Sequence, residues 1–398
     1  MTRATSRADA VSAGETGGLL TIDLNAIAAN WRLLNARMGG PAAHKCCAAV
    51  VKADGYGLGA VPVVRRLLAE GCKTFFVAHV EEGIALRTAL ADSGAEIFVL
   101  NGLLPGGEAL LARYRLAPCL NDVAQVRAWL DFCVRTEPQM AALHVDTGMT
   151  RLGLDPDELD DLDHAAIGAL PGLILMSHLA CADEPVHPLN HQQLAAFRRI
   201  RGLFPTARAS LANSSGMFLG DEYLFDLGRP GVALYGGNPT PYADINPMRA
   251  VVHLQARILQ LRQIRDIRPV GYGATADTYP PARIATLAVG YADGYLRAIS
   301  NRGVVYLNGH PCPVVGRVSM DLLTVDVTDA AGRDETIAAG ALVDLLSETH
   351  TVDDVAATAD TIGYEILTSL GERYHRRYID TAHETPLETT AAAGSAGA

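Results

Sequence analysis

The sequence lacks features that mark several classes of protein. Positive charge is scarce: 33 Lys and Arg stand against 44 Asp and Glu in 398 residues, and the net charge of −11 argues against a nucleic-acid partner. No apolar run is long enough to cross a membrane, and residues 1–17 lack the apolar core of a signal peptide. These absences predict a cytoplasmic protein with neither nucleic acid nor membrane among its partners.

Metal and disulfide signatures are also missing. The seven cysteines are scattered and include no C-x-x-C pair, which indicates reduced core thiols of a cytosolic enzyme. His187 and His191 have a spacing that could ligate zinc on a helix, but Pro188 lies between them and no third ligand is evident. We therefore predict no metal site. The terminal segments, 1–17 and 383–398, are predicted to be disordered.

Short apolar runs alternate with amphipathic helical patterns over the first part of the chain. The predicted strands are residues 46–53, 74–80, 96–102, 116–121, 142–148, 173–180, 209–214 and 224–235. The predicted helices are residues 61–71, 81–90, 108–115, 122–136, 155–167 and 191–204. Eight strands with helices between them favour an α/β fold, a (β/α)8 TIM-like barrel over residues 18–240. A doubly wound sheet is the alternative, because strand count alone does not prove closure.

The pattern changes after a Pro- and Gly-rich linker at residues 236–241. Predicted strands at 251–264, 283–289, 303–308 and 322–327 indicate a mostly β C-terminal domain over residues 248–382. Asn308 and Gly309 predict a hairpin turn, and a closing helix is expected to begin near Val352.

Lys52 lies where the first predicted strand ends and a glycine-rich turn begins. An ammonium at the mouth of an apolar strand is unfavourable unless it pairs or reacts. Desolvation lowers the pKa of a lysine, and the neutral amine can form a Schiff base with an aldehyde cofactor. A lysine that merely extends to solvent from a strand end would suffice if this motif stood alone.

Other polar side chains follow the later strands, at the end where such barrels place their active sites. They are Arg151 after the fifth strand, His178 at the end of the sixth, Asn213 and Ser214 at the end of the seventh, and Arg229 in the eighth. The late loops of these barrels often hold phosphate through backbone N–H groups and a hydroxyl, a task that suits Ser214 and Gly231. A lysine for an aldehyde together with a phosphate site indicates pyridoxal 5'-phosphate.

The motifs as a set resemble those of the alanine racemases, pyridoxal-phosphate enzymes with a barrel followed by a β domain. They occur in the order found in that family and cover residues 20–380. The matching motifs are VKADGYG at 51–57, DTGMTRLG at 146–153, GYG at 271–273, GYADGY at 290–295 and SMD at 319–321. The resemblance implies an isomerase that interconverts L- and D-alanine, supplying D-alanine for the cell wall or catabolising it.

The resemblance also implies a role for each matched residue. Lys52 would hold the cofactor and act as the base on the D side of the substrate, and Tyr272 of the partner subunit would be the base on the L side. Further cofactor contacts would come from Tyr56, His178, Asn213, Ser214, Arg229, Gly231, Val232 and Tyr364. Substrate contacts would come from Arg151, Tyr291 and Met320. The protein would then be a homodimer with composite active sites.

Two positions depart from the commoner family pattern. Many relatives carry a lysine at the position of His144, and its carbamate orients the arginine seven residues on. Imidazole cannot form that carbamate, so we expect Arg151 to be supported partly by neutral His144 and otherwise by a bound anion or a carboxylate from another segment. Ser319 replaces a cysteine, with a small expected effect because the following backbone does the recognition.

Three other functions share parts of this pattern. A racemase of another amino acid, such as serine, shares the fold, although Tyr364 favours alanine. Barrel-type amino-acid decarboxylases share the lysine but generally lack the context of Tyr272. Pyridoxal-phosphate carrier proteins have the barrel alone, so the residues from about 248 onward argue against that alternative.

Overall fold

The structure, a computed structural model, describes residues 12–39, 45–91, 93–333 and 337–380. The chain divides into two compact units. The barrel unit is Ala26–Arg249, and the β unit combines residues 12–25 with the described residues from Ala250 onward. Of the expected disordered tails, residues 1–11 and 383–398 lie outside the described residues. Residues 12–17 differ from that expectation, since Thr16 is buried and its carbonyl accepts a hydrogen bond from Arg257 at 2.7 Å.

Strand β1 (Gly18–Asp23) belongs to the β unit, and the barrel unit contains the next nine strands. They are β2 (Cys46–Cys47), β3 (Ala49–Val50), β4 (Thr74–Val77), β5 (Glu96–Val99), β6 (Leu116–Leu120), β7 (Ala142–His144), β8 (Ile174–Met176), β9 (Arg208–Ser210) and β10 (Leu227–Gly228). Most of their residues are buried, as expected for strands covered on both faces.

Hydrogen bonding closes these strands into a barrel. Strands β3 to β9 form a parallel seven-stranded sheet in sequence order, and β10 pairs with β2 in parallel. The amide of Asp226 donates to Ala209 at 2.9 Å next to β9 and β10, and the amide of Ala48 donates to Gly228 at 2.8 Å. Because β2 and β3 form one interrupted strand, eight strand positions close into a ring. The predicted barrel is confirmed, and the doubly wound alternative is wrong.

Helices precede and separate the barrel strands. They are α1 (Leu24–Arg37), α2 (Lys52–Tyr56), α3 (Ala60–Ala69), α4 (Val80–Leu90), α5 (Glu108–Arg113), α6 (Val123–Arg135), α7 (His164–Gly168) and α8 (Pro188–Arg201). Of these, α3 to α6 and α8 match predicted helices, whereas α1 and α2 were not predicted. The helix predicted over 155–167 is instead a 3-10 helix at Pro156–Asp161 followed by α7. The side chain of Asp163 accepts hydrogen bonds from two backbone N–H groups and so caps α7. Because aspartate favours the N-cap position, a new helix begins there and divides the predicted one.

The β unit contains the remaining elements. They are β11 (Val252–Ile264), β12 (Arg268–Val270), β13 (Ala276–Thr278), β14 (Ala282–Leu287), β15 (Val304–Leu307), β16 (His310–Pro313), β17 (Leu323–Asp326), α9 (Thr328–Arg333), β18 (Leu342–Leu346), α10 (Val352–Thr358), α11 (Gly363–Ser369) and β19 (His375–Ile379). One sheet runs β16-β15-β18-β11-β1-β19; β14 branches from β11 and pairs in turn with β17, and β12 pairs with β13. The predicted turn at Asn308 and Gly309 joins β15 to β16, with both residues at positive φ.

The assignment of β1 differs from the expected barrel span of 18–240. β1 lies between β11, with which it pairs antiparallel, and β19, with which it pairs in parallel. A strand followed directly by a helix looks like a barrel repeat in sequence, because local pattern does not identify a pairing partner. In the described part of the chain, no helix combines the length and apolar character that a membrane span requires.

Candidate active site

Lys52 lies at the carboxyl end of β3, at the start of an unusual turn. Ala53, Asp54, Gly55 and Tyr56 all have φ between 51° and 66°, so the backbone makes a left-handed turn directly after the lysine. Left-handed backbone costs roughly 1–2 kcal/mol for each residue with a Cβ, and such strain is concentrated at functional sites. The turn therefore indicates that this strand end belongs to a functional site.

The surroundings of Lys52 favour its neutral amine. Burial lowers the pKa of Lys52 below its ordinary value, and the charge of Arg151 lowers it further. The carboxylate of Glu82 acts in the opposite direction. A larger fraction of neutral amine near neutral pH makes the lysine both a better nucleophile and a better base.

Arg229 is the most buried charged group at this end of the barrel, with 3 % of its surface exposed. Its guanidinium donates to the hydroxyl of Ser210 and to the carbonyl of Ser177, and no described carboxylate forms an ion pair with it. Burial lowers the pKa of Arg229 to about 10, so the group remains charged near neutrality. A buried cation with only neutral acceptors is unfavourable, which indicates that a ligand completes its surroundings.

His178 is held next to this guanidinium as a neutral imidazole. Loss of solvent and the charges of Arg229, Arg151 and Lys52 keep the pKa of His178 well below its ordinary value. Its backbone is fixed by Gln193, which donates to the His178 carbonyl at 2.8 Å. Since these charges all act on one imidazole, the predicted residues of four strand ends lie in one cluster.

Sequence reasoning missed Gln193, although a signal was present. Its side chain is fully buried on α8, accepts from the amide of Ala180 at 2.9 Å and donates to Thr147 at 3.3 Å. Thr147 in turn shares a hydrogen bond of 2.7 Å with Ser177. A glutamine beside the buried stripe of an amphipathic helix is the clue, because buried polar groups are there to satisfy particular partners.

The predicted phosphate site lies around Ser214. Its Oγ accepts hydrogen bonds from the amides of Gly231 at 3.0 Å and Ala233 at 3.3 Å, so its own hydrogen can be donated elsewhere. A 3-10 helix, Val232–Tyr235, begins at this point. Asn213 instead accepts from the amide of Gly216 at 2.8 Å and shapes its own loop. A hydroxyl donor beside the start of a helical turn suits an anion.

Tyr56 packs directly against this site. A Cβ at Gly231 would collide with the Tyr56 phenol, so only glycine permits the approach. The Tyr56 ring stacks on Tyr235 with centroids 4.6 Å apart, and the Tyr235 hydroxyl donates to the Val50 carbonyl at 3.1 Å. The left-handed turn after Lys52 thus places Tyr56 against Gly231, whose amide is bonded to Ser214.

Arg151 has less support than the sequence led us to expect. Its side chain is exposed, and within residues 12–39, 45–91, 93–333 and 337–380 it has no hydrogen bond or ion pair. His144 does not support it: its Nδ1 lies 2.7 Å from Oδ1 of Asn121, and burial with the charge of Arg229 lowers the pKa of His144 to about 4. The expected acceptor carboxylate from another segment is therefore not found among the described residues.

The remaining predicted residues lie in the β unit. The amides of Tyr291 and Ala292 donate to the carbonyls of Ser319 and Met320, both at 3.0 Å, so the GYADGY and SMD motifs are neighbours. Sequence reasoning missed Arg373, which pairs with Asp293 at 2.6 Å and Asp321 at 2.7 Å and so joins the two motifs.

Four predicted side chains of the β unit are exposed. The exposed fractions are 73 % for Tyr272, 54 % for Met320 and 41 % for both Tyr291 and Tyr364. Tyr272 lies in the turn between β12 and β13, and Tyr364 lies in the first turn of α11. Large apolar side chains exposed together with motif residues are typical of surfaces that bind a partner.

The two histidines considered as zinc ligands, His187 and His191, do not share a site. Among the described residues, no cluster of three His, Cys, Asp or Glu side chains could hold an ion. His187 accepts from the amide of Leu189 at the start of α8, and His191 lies 3.4 Å from the hydroxyl of Tyr223. The two histidines therefore have separate structural contacts.

Comparison with known proteins agrees with both units. The family model for the N-terminal domain of alanine racemase matches residues 22–239, and the model for its C-terminal domain matches residues 251–378. The chain belongs to the alanine racemase family. Because both family domains match, the pyridoxal-phosphate carrier alternative, which has the barrel alone, is not favoured.

Curated relatives in the alanine racemase family match over nearly their whole length. An alanine racemase of Rhodospirillum rubrum is 52% identical over 364 residues, 90% of this chain and 95% of that protein. A catabolic alanine racemase of Mesorhizobium japonicum is 48% identical, over 93% of this chain and 95% of its own. The crystal structure of alanine racemase from Bartonella henselae with covalently bound pyridoxal phosphate has a TM-score of 0.85 and 41% identity, covering 92% of this chain and 100% of that chain.

Proposed function

We infer that the protein is a pyridoxal-phosphate-dependent alanine racemase, an isomerase that interconverts L- and D-alanine. The observation that carries this conclusion is the match of both family domains to one chain. At the strand ends of its barrel, that chain has both a lysine of lowered pKa and the Ser214 site. Serine racemisation and decarboxylation are not favoured, since the named relatives are alanine racemases.

We propose that residues at the carboxyl ends of the barrel strands, called the barrel mouth below, hold the cofactor together with Tyr364 of the β unit. Lys52 would bind its aldehyde, and Tyr56, Ser214, Gly231, Val232 and Tyr364 its phosphate. Arg229, with His178 and Asn213 nearby, would face its ring nitrogen. The buried guanidinium without a carboxylate and the close approach of Tyr56 to Gly231 support this fit. When bound, pyridoxal phosphate withdraws electrons from the substrate Cα and so weakens its bond to hydrogen.

We propose two bases on opposite faces of the substrate. Lys52 would take or return the proton on the D side, and the partner subunit's Tyr272 would do so on the L side. Arg151 and the backbone of the partner's Met320 would hold the substrate carboxylate, and Tyr291 would narrow the pocket. The exposure of Tyr272, Tyr291 and Met320 supports a homodimer with composite sites, because such side chains become buried when a second copy covers them.

We further propose that the enzyme works in the cytoplasm. All seven cysteines are free, and five of them are buried, which suits a reducing compartment. Racemisation runs in both directions, so one enzyme can supply D-alanine for the cell wall or consume it. One of the named relatives is a catabolic alanine racemase.

The deciding experiment combines turnover with chemical trapping. The purified protein should interconvert D- and L-alanine faster than serine and should release no carbon dioxide from lysine or ornithine. Borohydride reduction followed by peptide mapping should place the cofactor on Lys52, and Lys52→Ala should abolish both labelling and turnover. Label on a different lysine would contradict the assignment.

A further inference from the structure

One carboxylate that the proposed mechanism does not use joins two loops at the barrel mouth. Glu82 lies in the first turn of α4, and its Oε1 accepts from the amide of Ala53, the residue after Lys52, at 2.6 Å. Its Oε2 accepts from the amides of Ala78 at 2.7 Å and His79 at 3.1 Å. Three backbone donors from the ends of β3 and β4 therefore share one side chain.

Helix capping accounts for only part of this arrangement. Glu82 is the third residue of α4, where a Glu or Gln side chain commonly bonds back to the N-cap amide, here that of His79. The bond to Ala53 spans 29 residues and contributes nothing to that cap. It is made instead to the first residue of the left-handed turn, where φ is 52° and the backbone needs outside support to stay in place.

The same carboxylate acts on Lys52 electrostatically. Besides burial, two charged side chains shift the pKa of Lys52: Arg151 lowers it, and Glu82 raises it. Glu82 thus opposes the cation that would otherwise depress the amine further. Glu82 therefore acts on Lys52 in two ways, through its hydrogen bond to Ala53 and through its charge.

We propose that Glu82 is a positioning residue for Lys52. The Glu82 carboxylate fixes the left-handed turn that orients Lys52 and Tyr56 toward the site. This inference rests on the proposed role of Lys52. It assigns Glu82 no contact with substrate or cofactor.

Glu82→Gln separates positioning from capping. A glutamine oxygen can keep the bonds to Ala78 and His79, so the cap of α4 survives. The amide NH₂ then faces the N–H of Ala53, donor against donor, and the bridge is lost. Glu81→Gln is the matched control, because Glu81 lies in the same turn, is exposed and carries the same charge. Glu82→Asp keeps the charge but shortens the reach by one methylene.

The holoenzyme of each variant is measured in three ways. For Glu82→Gln we expect kcat for D-alanine to fall roughly 10- to 100-fold with KM within about twofold, since small misplacements of catalytic groups have effects of this size. The rising limb of the pH profile should move to lower pH, because loss of the negative charge lowers the pKa of the lysine amine. The cofactor should be lost faster on dialysis. Glu81→Gln should match the wild type in all three.

Glu82→Asp and two contrary outcomes decide between positioning and capping. Glu82→Asp should keep the pH limb of the wild type while losing kcat, since its charge stays but its reach does not. If Glu82→Gln matches Glu81→Gln, or lowers only the thermal midpoint while the pH profile and cofactor retention stay unchanged, Glu82 is merely a cap. Wild-type labelling at a lysine other than Lys52 would overturn the cofactor assignment itself, an outcome distinct from failure of the Glu82 inference.

Discussion

Gly231→Ala tests the proposed phosphate site at its tightest contact. A Cβ at this position would lie 2.9 Å from Cζ of Tyr56 and closer still to the phenol oxygen. The φ of Gly231 is −117°, outside the left-handed range that favours glycine, and the double variant described below isolates the effect of the collision with Tyr56. Tyr56 cannot easily yield, because its ring stacks on Tyr235 and its own backbone is left-handed.

The size of the effect follows from the cost of overpacking. An extra carbon forced into a well-packed site costs about 1–3 kcal/mol. If that cost falls on the cofactor-bound arrangement, the dissociation constant for pyridoxal phosphate rises about 5- to 150-fold, at about 1.4 kcal/mol for each factor of ten. Lys52 and Ser214 stay in place, so turnover at saturating cofactor should suffer less than affinity.

Equilibrium dialysis of the cofactor against four proteins provides the assay: wild type, Gly231→Ala, Tyr56→Phe and the double variant. Tyr56→Phe alone should weaken binding by loss of one hydrogen bond. In the double variant the closest colliding atom is gone, so its affinity should exceed the additive expectation from the two single variants. Wild-type affinity in Gly231→Ala, or strict additivity in the double variant, would refute the packing of Tyr56 against Gly231.

Three further predictions address the second base and His144. Mixing inactive Lys52→Ala with Tyr272→Phe, which should keep only a small residual activity, should raise the activity, since one site in each heterodimer escapes both lesions; no recovery after demonstrated subunit exchange contradicts shared sites. Tyr272→Phe should change the isotope effect on proton removal from L-alanine more than from D-alanine, as measured with Cα-deuterated substrates. His144 has a folded pKa of about 4, so its contribution to stability is fully present above about pH 6.5 and lost towards pH 4, by about 3 kcal/mol. Urea unfolding of His144→Asn should lack that slope, and mass spectrometry should find no carbamate on wild-type His144.

The barrel could be predicted because its strands are short, apolar and regularly spaced. Local pattern failed where partners are distant. Strand β1 pairs with β11, more than 200 residues away, and with β19 near the end of the chain, which no periodicity reveals. The last predicted strand, 224–235, contains only a two-residue strand and then a four-residue 3-10 helix, because glycine and proline at 228–231 end the extended backbone.

The candidate site shows a similar division. Lys52, Ser214 and Arg229 could be chosen because they follow strands, where chain direction alone places them at one end of the barrel. Gln193 and Glu82 were missed, because they lie on helices and act on backbone groups of other segments; only the buried position of Gln193 left a signal in the sequence. His144 was assigned the wrong partner: Asn121, at the end of the neighbouring strand, lies within bonding distance of its ring, whereas sequence reasoning considered only Arg151.

The character of Arg229 bears on why the proposed chemistry is racemisation. A carboxylate beside a ring nitrogen would hold a proton there and draw electrons strongly into the ring. Arg229 remains charged near neutrality even with its pKa lowered to about 10, and a guanidinium gives up its proton reluctantly. His178, held neutral by the same positive charges, can relay hydrogen bonding without adding a second proton to the site. Withdrawal of electrons from Cα would therefore be weaker than with a carboxylate partner, which would favour return of a proton to Cα by Lys52 or Tyr272 over slower side reactions.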